Sequence, residues 1–431
     1  MCKTLSLHYP NKMNFLNLLF LLILLCIYRL PILASVSLTH YTPVLNFAPL
    51  LALCGVTVAN IFQSKIKVKK IISLLSSSLI YKIIFISLLY FIFYFSFQFL
   101  FHKELVFSIA RELSSTTIFL LFPLLLDLNF QKDELILFIE KLLTVLIIIS
   151  FILIFGEFVL LKLNIFNVMQ IHTWLKNSET TGVIRINTFM GQGAVSGVGS
   201  AAGAVYFTFQ LLNEFFETKK LNFRILILII LALMTLCFCD SFTLFLAYGG
   251  AIFLMLWQFN KVISFKRYFK GRLLIELFVT AFIFYSFVRI LLIYSGLRER
   301  FIAYVYMGQL KPALLNYLPV FNNCHFSSWF SLISTGQNSS CTPGEFHGLF
   351  LLFRYGIFLQ LAWIFFYFYP LFFIRFKKMD MKYYNGCFYA LVAILITAIH
   401  YSGAEIWGNN YLLGSLMVVF MKNKRFVAIE G

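Results

Sequence analysis

Residues 295–356 read SGLRERFIAYVYMGQLKPALLNYLPVFNNCHFSSWFSLISTGQNSSCTPGEFHGLFLLFRYG. Long apolar runs lie on both sides, so roughly fifty residues of mixed polarity hang between two segments that suit lipid. Arg298, Arg300, Lys311, His325, Glu345 and His347 fall within this excursion, together with Cys324 and Cys341. A connection of that length usually carries function or is unfolded, and its aromatic content argues against the second. Residues 295–346 are therefore expected to fold as a lid over a site on the non-cytoplasmic side.

The rest of the chain sets that excursion apart. Hydrophobic residues fill 61% of the 431 positions and charged ones 12%, and the mean hydropathy is +0.88. No ordinary soluble domain has this balance; it predicts an all-α integral membrane protein. A formal charge of +18 would suggest nucleic acid for a soluble protein. Here the Lys and Arg residues gather in short loops on one side, as the positive-inside rule requires, so no nucleic-acid partner is expected. The eight cysteines include no CxxC and no His/Cys ligand spacing. No metal site and no cofactor are therefore expected, and most cysteines read as small buried hydrophobes.

A span takes about 20 apolar residues. Such runs number about twelve, at residues 14–34, 43–62, 73–101, 105–126, 135–161, 188–212, 225–239, 242–259, 273–294, 347–374, 383–401 and 407–421. The first reads as a retained signal anchor, being longer than a signal-peptide core and without a clear cleavage site. Clusters such as Lys65 to Lys70, Lys219 with Lys220 and Arg224, Lys261 to Arg272, Arg375 to Lys382 and Lys422 to Arg425 then share one side. That side is the cytoplasm, with both termini in it. Residues 127–134 become an inner loop and residues 164–187 an outer one, while Asp240-Ser241 is the tip of a tight helical hairpin. The large outer loop precedes the tenth helix. No internal repeat is visible, and one polytopic membrane domain over residues 1–431 is expected.

Basic residues on the outer side are few, so each one counts. Arg185 stands just before a span, and Arg298 and Arg300 open the large loop. Arginine offers a planar fork of donors that fits phosphate oxygens, although contact with lipid headgroups or snorkelling is an equal alternative. Arg298 and Arg300 would share a face in an extended segment and not on a helix. His347 begins the tenth span and could deprotonate or orient a sugar hydroxyl; Glu345 is the competing base. Arg354 lies about two turns further along the same helical face, where an intramembrane charge implies a polar cavity or a partner. Arg111 and Arg289 are similar cases near the outer ends of their spans. Gly197-x-Gly199 within GQGAVSGVGSAAGAVYF has no βαβ context, so it reads as close helix packing rather than a dinucleotide loop. Cys324 and Cys341 would face an oxidising compartment. A disulfide closing that ring of about eighteen residues would stabilise the loop by roughly 3 kcal/mol, and two free thiols are the alternative.

The layout resembles the bacterial O-antigen polymerase and ligase superfamily of polytopic glycosyltransferases over nearly the whole chain. Three stretches carry the resemblance. RINTF (residues 185–189) is similar to the family's arginine before a span rich in small residues. SGLRERFIAYVYMGQLKP (residues 295–312) is similar to its arginine at the start of the large periplasmic loop. HGLFLLFRYGI (residues 347–357) is similar to the histidine, apolar run and glycine that enter the next span. The chain departs from the pattern at Gly348, where the family often has asparagine, and at Pro319-Val320-Phe321, where it often has a glycine pair.

The resemblance implies metal-independent transfer of a glycan from undecaprenyl pyrophosphate on the periplasmic face of the inner membrane. In a polymerase the acceptor is another lipid-linked repeat unit, and a chain-length regulator and a flippase are the implied partners. In a ligase the acceptor is lipid A-core. Arg298 or Arg300, with Arg185, would hold the pyrophosphate, while His347, with or without Glu345, would handle the acceptor hydroxyl. A lipid-linked oligosaccharide flippase is a reading from a different class. Transporters often show related halves and helices broken at the midplane, and neither is legible here.

Overall fold

The structure, a computed structural model, describes residues 81–83, 85–87, 89–90, 92–93, 96, 126–127, 131–162, 193–218, 220–239, 242–262, 357–358, 360–361, 364–365, 381–400, 412, 416 and 418–419. Every regular element among them is a helix: α1 (Lys132–Lys162), α2 (Gly193–Thr218), α3 (Phe223–Phe238), α4 (Phe242–Val262) and α5 (Met381–His400). The chain divides into two compact units. One comprises residues 1–142, 325–376 and 401–431, the other residues 143–324 and 377–400.

α1 begins where its sequence supplies a start signal. Glu134 accepts from the backbone N–H of Gln131 at 2.8 Å, and Asp133 and Glu134 place negative charge in the first turn. Both features satisfy or offset the helix's unpaired N–H groups. The apolar sequence then continues without a breaker. Its stretch Asp133–Gly156, 24 residues long, is the one helix among the described residues long and apolar enough to cross a membrane. At 1.5 Å per residue it spans about 36 Å, against about 30 Å of hydrocarbon.

Four of the expected spans correspond closely to described helices. α1 extends residues 135–161 by a few positions, α5 matches residues 383–401 to within two, and α3 and α4 fall on the expected runs 225–239 and 242–259, while the hairpin tip Asp240-Ser241 lies outside the described residues. α2 departs more. It was expected over residues 188–212, yet it continues to Thr218. Hydropathy marks where lipid would end, not where a helix must. Along the extra length Asn213 donates to Glu217 at 3.1 Å and the Thr218 hydroxyl donates to the Glu214 carbonyl at 2.8 Å, so the helix carries its polar residues without breaking.

α2 is the centre of the second unit. It packs against α3, α4 and α5, and α4 packs in turn against α5. Ala201, Ala202, Ala204, Val205 and Tyr206 are completely buried, as befits a helix apolar on all sides. Its glycines set the spacing. A Cβ at Gly197 would come within 2.2 Å of a Leu244 methyl and 3.1 Å of the Cys239 sulfur; one at Gly203 would come within 2.7 Å of an Ile147 methyl. Gly199 faces Leu146 at 3.3 Å, and Gly386 of α5 stands 3.1 Å from the Tyr206 ring by the same measure. From Gly193 onward the glycine-rich stretch therefore serves helix packing, as expected, and lies inside an unbroken helix. Rings fill the remaining space: Phe209 with Tyr389 at 5.7 Å, Phe388 with Tyr389 at 5.2 Å and Phe155 with Phe238 at 5.7 Å.

In the first unit, the described residues between Tyr81 and Ser96 are helical. Phe85, Ile86, Leu89, Ile92 and Phe93 are exposed and repeat at helical spacing along one face. On that face the Ser96 hydroxyl donates to the Ile92 carbonyl at 2.9 Å. One turn before Phe85, Tyr81 is fully buried; on the other side of the helix Ser87 is nearly so, and Tyr90 meets Phe358 at 5.8 Å. One local expectation is corrected here. Asp127 was expected to open an inner loop, but it is helical and 6% exposed. The Tyr81 hydroxyl donates to its carboxylate, which is why a charge can end an apolar run and still turn inward.

The glycine contacts predict an asymmetric mutational response. Gly197→Leu and Gly203→Leu should each cost about 1–3 kcal/mol through overpacking. Gly249→Leu, where an added Cβ meets nothing within 4 Å, should stay within about 0.5 kcal/mol of the wild type. Thermal unfolding of the purified full chain in detergent measures the difference.

Candidate functional site

Arg111, Arg185, Arg289, Arg298, Arg300, Glu345, His347 and Arg354 all lie outside the described residues, as do Cys324, Cys341 and the whole of residues 295–346. The described elements are the scaffold next to them in sequence. α2 begins shortly after Arg185, and the helical residues 357, 358, 360, 361, 364 and 365 follow shortly after Arg354. The latter fall within the expected tenth span, and Phe358 and Leu361 are exposed.

The polar chemistry that is described has a consistent character: hydroxyls inside the bundle are satisfied close to home. Thr208 donates to the Ala204 carbonyl at 2.7 Å, Thr235 to Leu231 at 2.9 Å and Thr397 to Ile394 at 2.7 Å. Each bond removes a side-chain donor by pairing it with a carbonyl about one turn back. Bonds between side chains are of both kinds: Gln210 donates to the Tyr206 hydroxyl one turn back at 3.0 Å, and the Thr208 hydroxyl of α2 lies 3.5 Å from the Tyr248 hydroxyl of α4. Ser200 is different. Its hydroxyl is buried and has no hydrogen-bond partner among the described residues. It sits among the small residues of α2, beside Gly199, where an added Cβ would meet Leu146 at 3.3 Å.

Cys237 and Cys387 are buried free thiols and Cys239 is buried, which agrees with cysteines acting as small hydrophobes. Among the described residues no group of three or more His, Cys, Asp or Glu is placed to hold a metal ion.

Two polar links were not foreseen from the sequence. The first is Tyr81 with Asp127. The available signal was LLLDLNF, an acid that follows an apolar run directly and is followed by another leucine. The second is Asn222, which joins α2 to α3. Its amide donates to Glu214 at 3.1 Å, while its carbonyl oxygen accepts from Arg224 and Ile225 N–H at 3.1 and 3.4 Å. An asparagine just before an apolar run is an N-cap signal, so half of that link was legible.

No family model, curated protein or solved structure matches the chain.

Two substitutions separate satisfied from unsatisfied buried hydroxyls. Tyr81→Phe removes a donor from a buried carboxylate and should cost about 1–3 kcal/mol. Ser200→Ala removes an unpaired hydroxyl and should be neutral or stabilising by about 1 kcal/mol. Detergent-phase unfolding of both variants beside wild type gives the sign directly.

Proposed function

We propose that the chain is a polytopic membrane glycosyltransferase that polymerises undecaprenyl-pyrophosphate-linked oligosaccharide repeat units. In this reading it has about twelve spans, lies in the bacterial inner membrane and works on the periplasmic face. The observation that carries the reading is the excursion at residues 295–346, opened by Arg298 and Arg300, followed by His347 and flanked by apolar sequence. Its resemblance to the O-antigen polymerase and ligase superfamily supplies the reaction class. The helical character of the described residues supports the membrane part. So does the exposed apolar face at Phe85, Ile86, Leu89, Ile92 and Phe93, on which Ser96 pairs its hydroxyl internally, as a lipid-facing polar group must.

The proposed step is a single displacement at the anomeric carbon of the donor glycan. The acceptor's hydroxyl oxygen forms the new glycosidic bond, and the bond from the anomeric carbon to the pyrophosphate oxygen breaks. His347, or Glu345 in its place, takes the hydroxyl proton. Undecaprenyl pyrophosphate departs with the bonding electron pair, and Arg298 or Arg300, with Arg185, stabilises the charge that develops on it. Arg111, Arg289 and Arg354 are placed as further contacts to the anionic donor. The transfer requires no metal and no cofactor in this scheme. A chain-length regulator and a flippase are the proposed protein partners, and Cys324–Cys341 is proposed as a disulfide bracing the lid.

Arg298→Ala and His347→Ala, each present in the membrane at wild-type level, should abolish the ladder of polymer lengths and leave single lipid-linked units on the outer face. Ladders of wild-type length from both variants would overturn the assignment. Transfer of single units to lipid A-core by the wild-type chain would identify a ligase instead, and units trapped on the inner face of a deletion strain would identify a flippase. For the topology, a cysteine introduced by Ser339→Cys should react with a membrane-impermeant thiol reagent added from outside.

A further inference from the structure

Where α2 passes into α3 the chain reads NEFFETKKLNFRIL, residues 213–226. The backbone and the nearby acids of this junction are held by internal bonds. Asn222 caps α3 and reaches back to Glu214 at 3.1 Å. The Leu226 N–H donates to the Asn222 carbonyl at 3.0 Å, and the Lys220 N–H donates to the Thr218 hydroxyl at 3.2 Å. Glu217 accepts from the Asn213 amide at 3.1 Å. Both acids of the junction thus accept from asparagine amides. Lys220 and Arg224 are exposed, and among the described residues neither side-chain cation has an ion-pair partner.

Beside these cations lie apolar side chains with nothing over them. Phe223 is 73% exposed, Ile227 55% and Leu221 38%. Phe223 and Ile227 are one turn apart on α3 and therefore share a face. That face continues into FRILILIILALMTLCF, the 16 residues of α3, none of which is charged after Arg224. An apolar face that ends in two unpaired cations has the chemistry of a helix end at the boundary of a bilayer. Phosphates are available at that depth, and acyl chains begin just below them. An acidic protein would match the cations and leave the apolar face in water.

We propose that the α2–α3 junction is a binding surface for anionic phospholipid. Lys220 and Arg224 hold headgroup phosphates, and Leu221, Phe223 and Ile227 lie against the upper acyl chains. The proposal rests on the membrane reading above and is independent of the glycan chemistry. Its location agrees with the cytoplasmic side assigned to Lys219, Lys220 and Arg224.

The test uses the full chain in phosphatidylcholine vesicles containing a headgroup-photoreactive phosphatidylglycerol, with photoreactive phosphatidylcholine as the neutral counterpart. Peptide mapping should find residues 213–226 labelled several-fold more by the anionic probe. In a competition with unlabelled phosphatidylglycerol, Lys220→Ala/Arg224→Ala should weaken binding roughly thirtyfold, about fivefold for each charge. Lys220→Arg/Arg224→Lys should retain it. Equal labelling by the two probes, or no change in the double alanine variant, would overturn the proposal and leave the membrane reading standing. Extraction of the wild-type chain from membranes by alkaline carbonate would overturn both. The double alanine variant should unfold at the wild-type temperature; if it does not, the charge-reduced single variants Lys220→Gln and Arg224→Gln replace it, and labelling unchanged in both overturns the proposal.

Discussion

How near two helix backbones can approach is set by the smallest side chains between them. In the second unit that limit is reached along α2. Gly197, Gly199 and Gly203 leave no room for a Cβ beyond the side chains of Leu244, Leu146 and Ile147. Between helices in lipid, burial from water contributes no attraction, and close van der Waals contact takes its place. A buried helix bearing Gly197-Val198-Gly199-Ser200-Ala201-Ala202-Gly203 suits that situation. It lets α3, α4 and α5 pack on one common partner, with the bulky rings of Tyr206, Phe207 and Tyr389 filling the space beyond.

The polar groups follow from the same setting. In apolar surroundings an unpaired donor is costly, so Thr208, Thr235 and Thr397 each bond a carbonyl about a turn away. Asp127 turns inward onto Tyr81. Ser200 is the exception among the described residues, and it stands beside Gly199 in the small-residue stretch of α2. A bundle built this way is a stiff support, and chemistry on such supports commonly resides in the loops they position. Residues 164–187 and 295–346, which carry Arg185, Arg298 and Arg300, are loops of that kind in the proposed topology, and His347 follows directly after the second.

The α2–α3 junction applies the same economy of polar groups at the opposite side of the proposed bundle. Asn222 occupies both of its side-chain functions inside the protein, one on Glu214 and one on the first N–H groups of α3. With the acids so engaged, Lys220 and Arg224 are left facing outward beside Phe223 and Ile227. In the proposed topology, charge bias in the inner loops and apolar exposure on the helices would be two parts of one fit to a bilayer.

Sequence by itself determined the helical class and the extents of α1, α3, α4 and α5 to within a few residues. These follow from the length of apolar runs and from the residues that interrupt them, which are local quantities. It also marked the glycines of α2 as packing residues, because their spacing is periodic along one helix. Only the tertiary structure decided that α2 is the shared partner of α3, α4 and α5, that it runs on through Asn213, Glu214 and Glu217, and that Asp127 turns inward. A polar residue has the same hydropathy whether its partner is water, a carbonyl one turn back or a tyrosine forty-six positions away in sequence. Which of these it meets is fixed by the approach of distant segments, and apolar periodicity does not encode that approach.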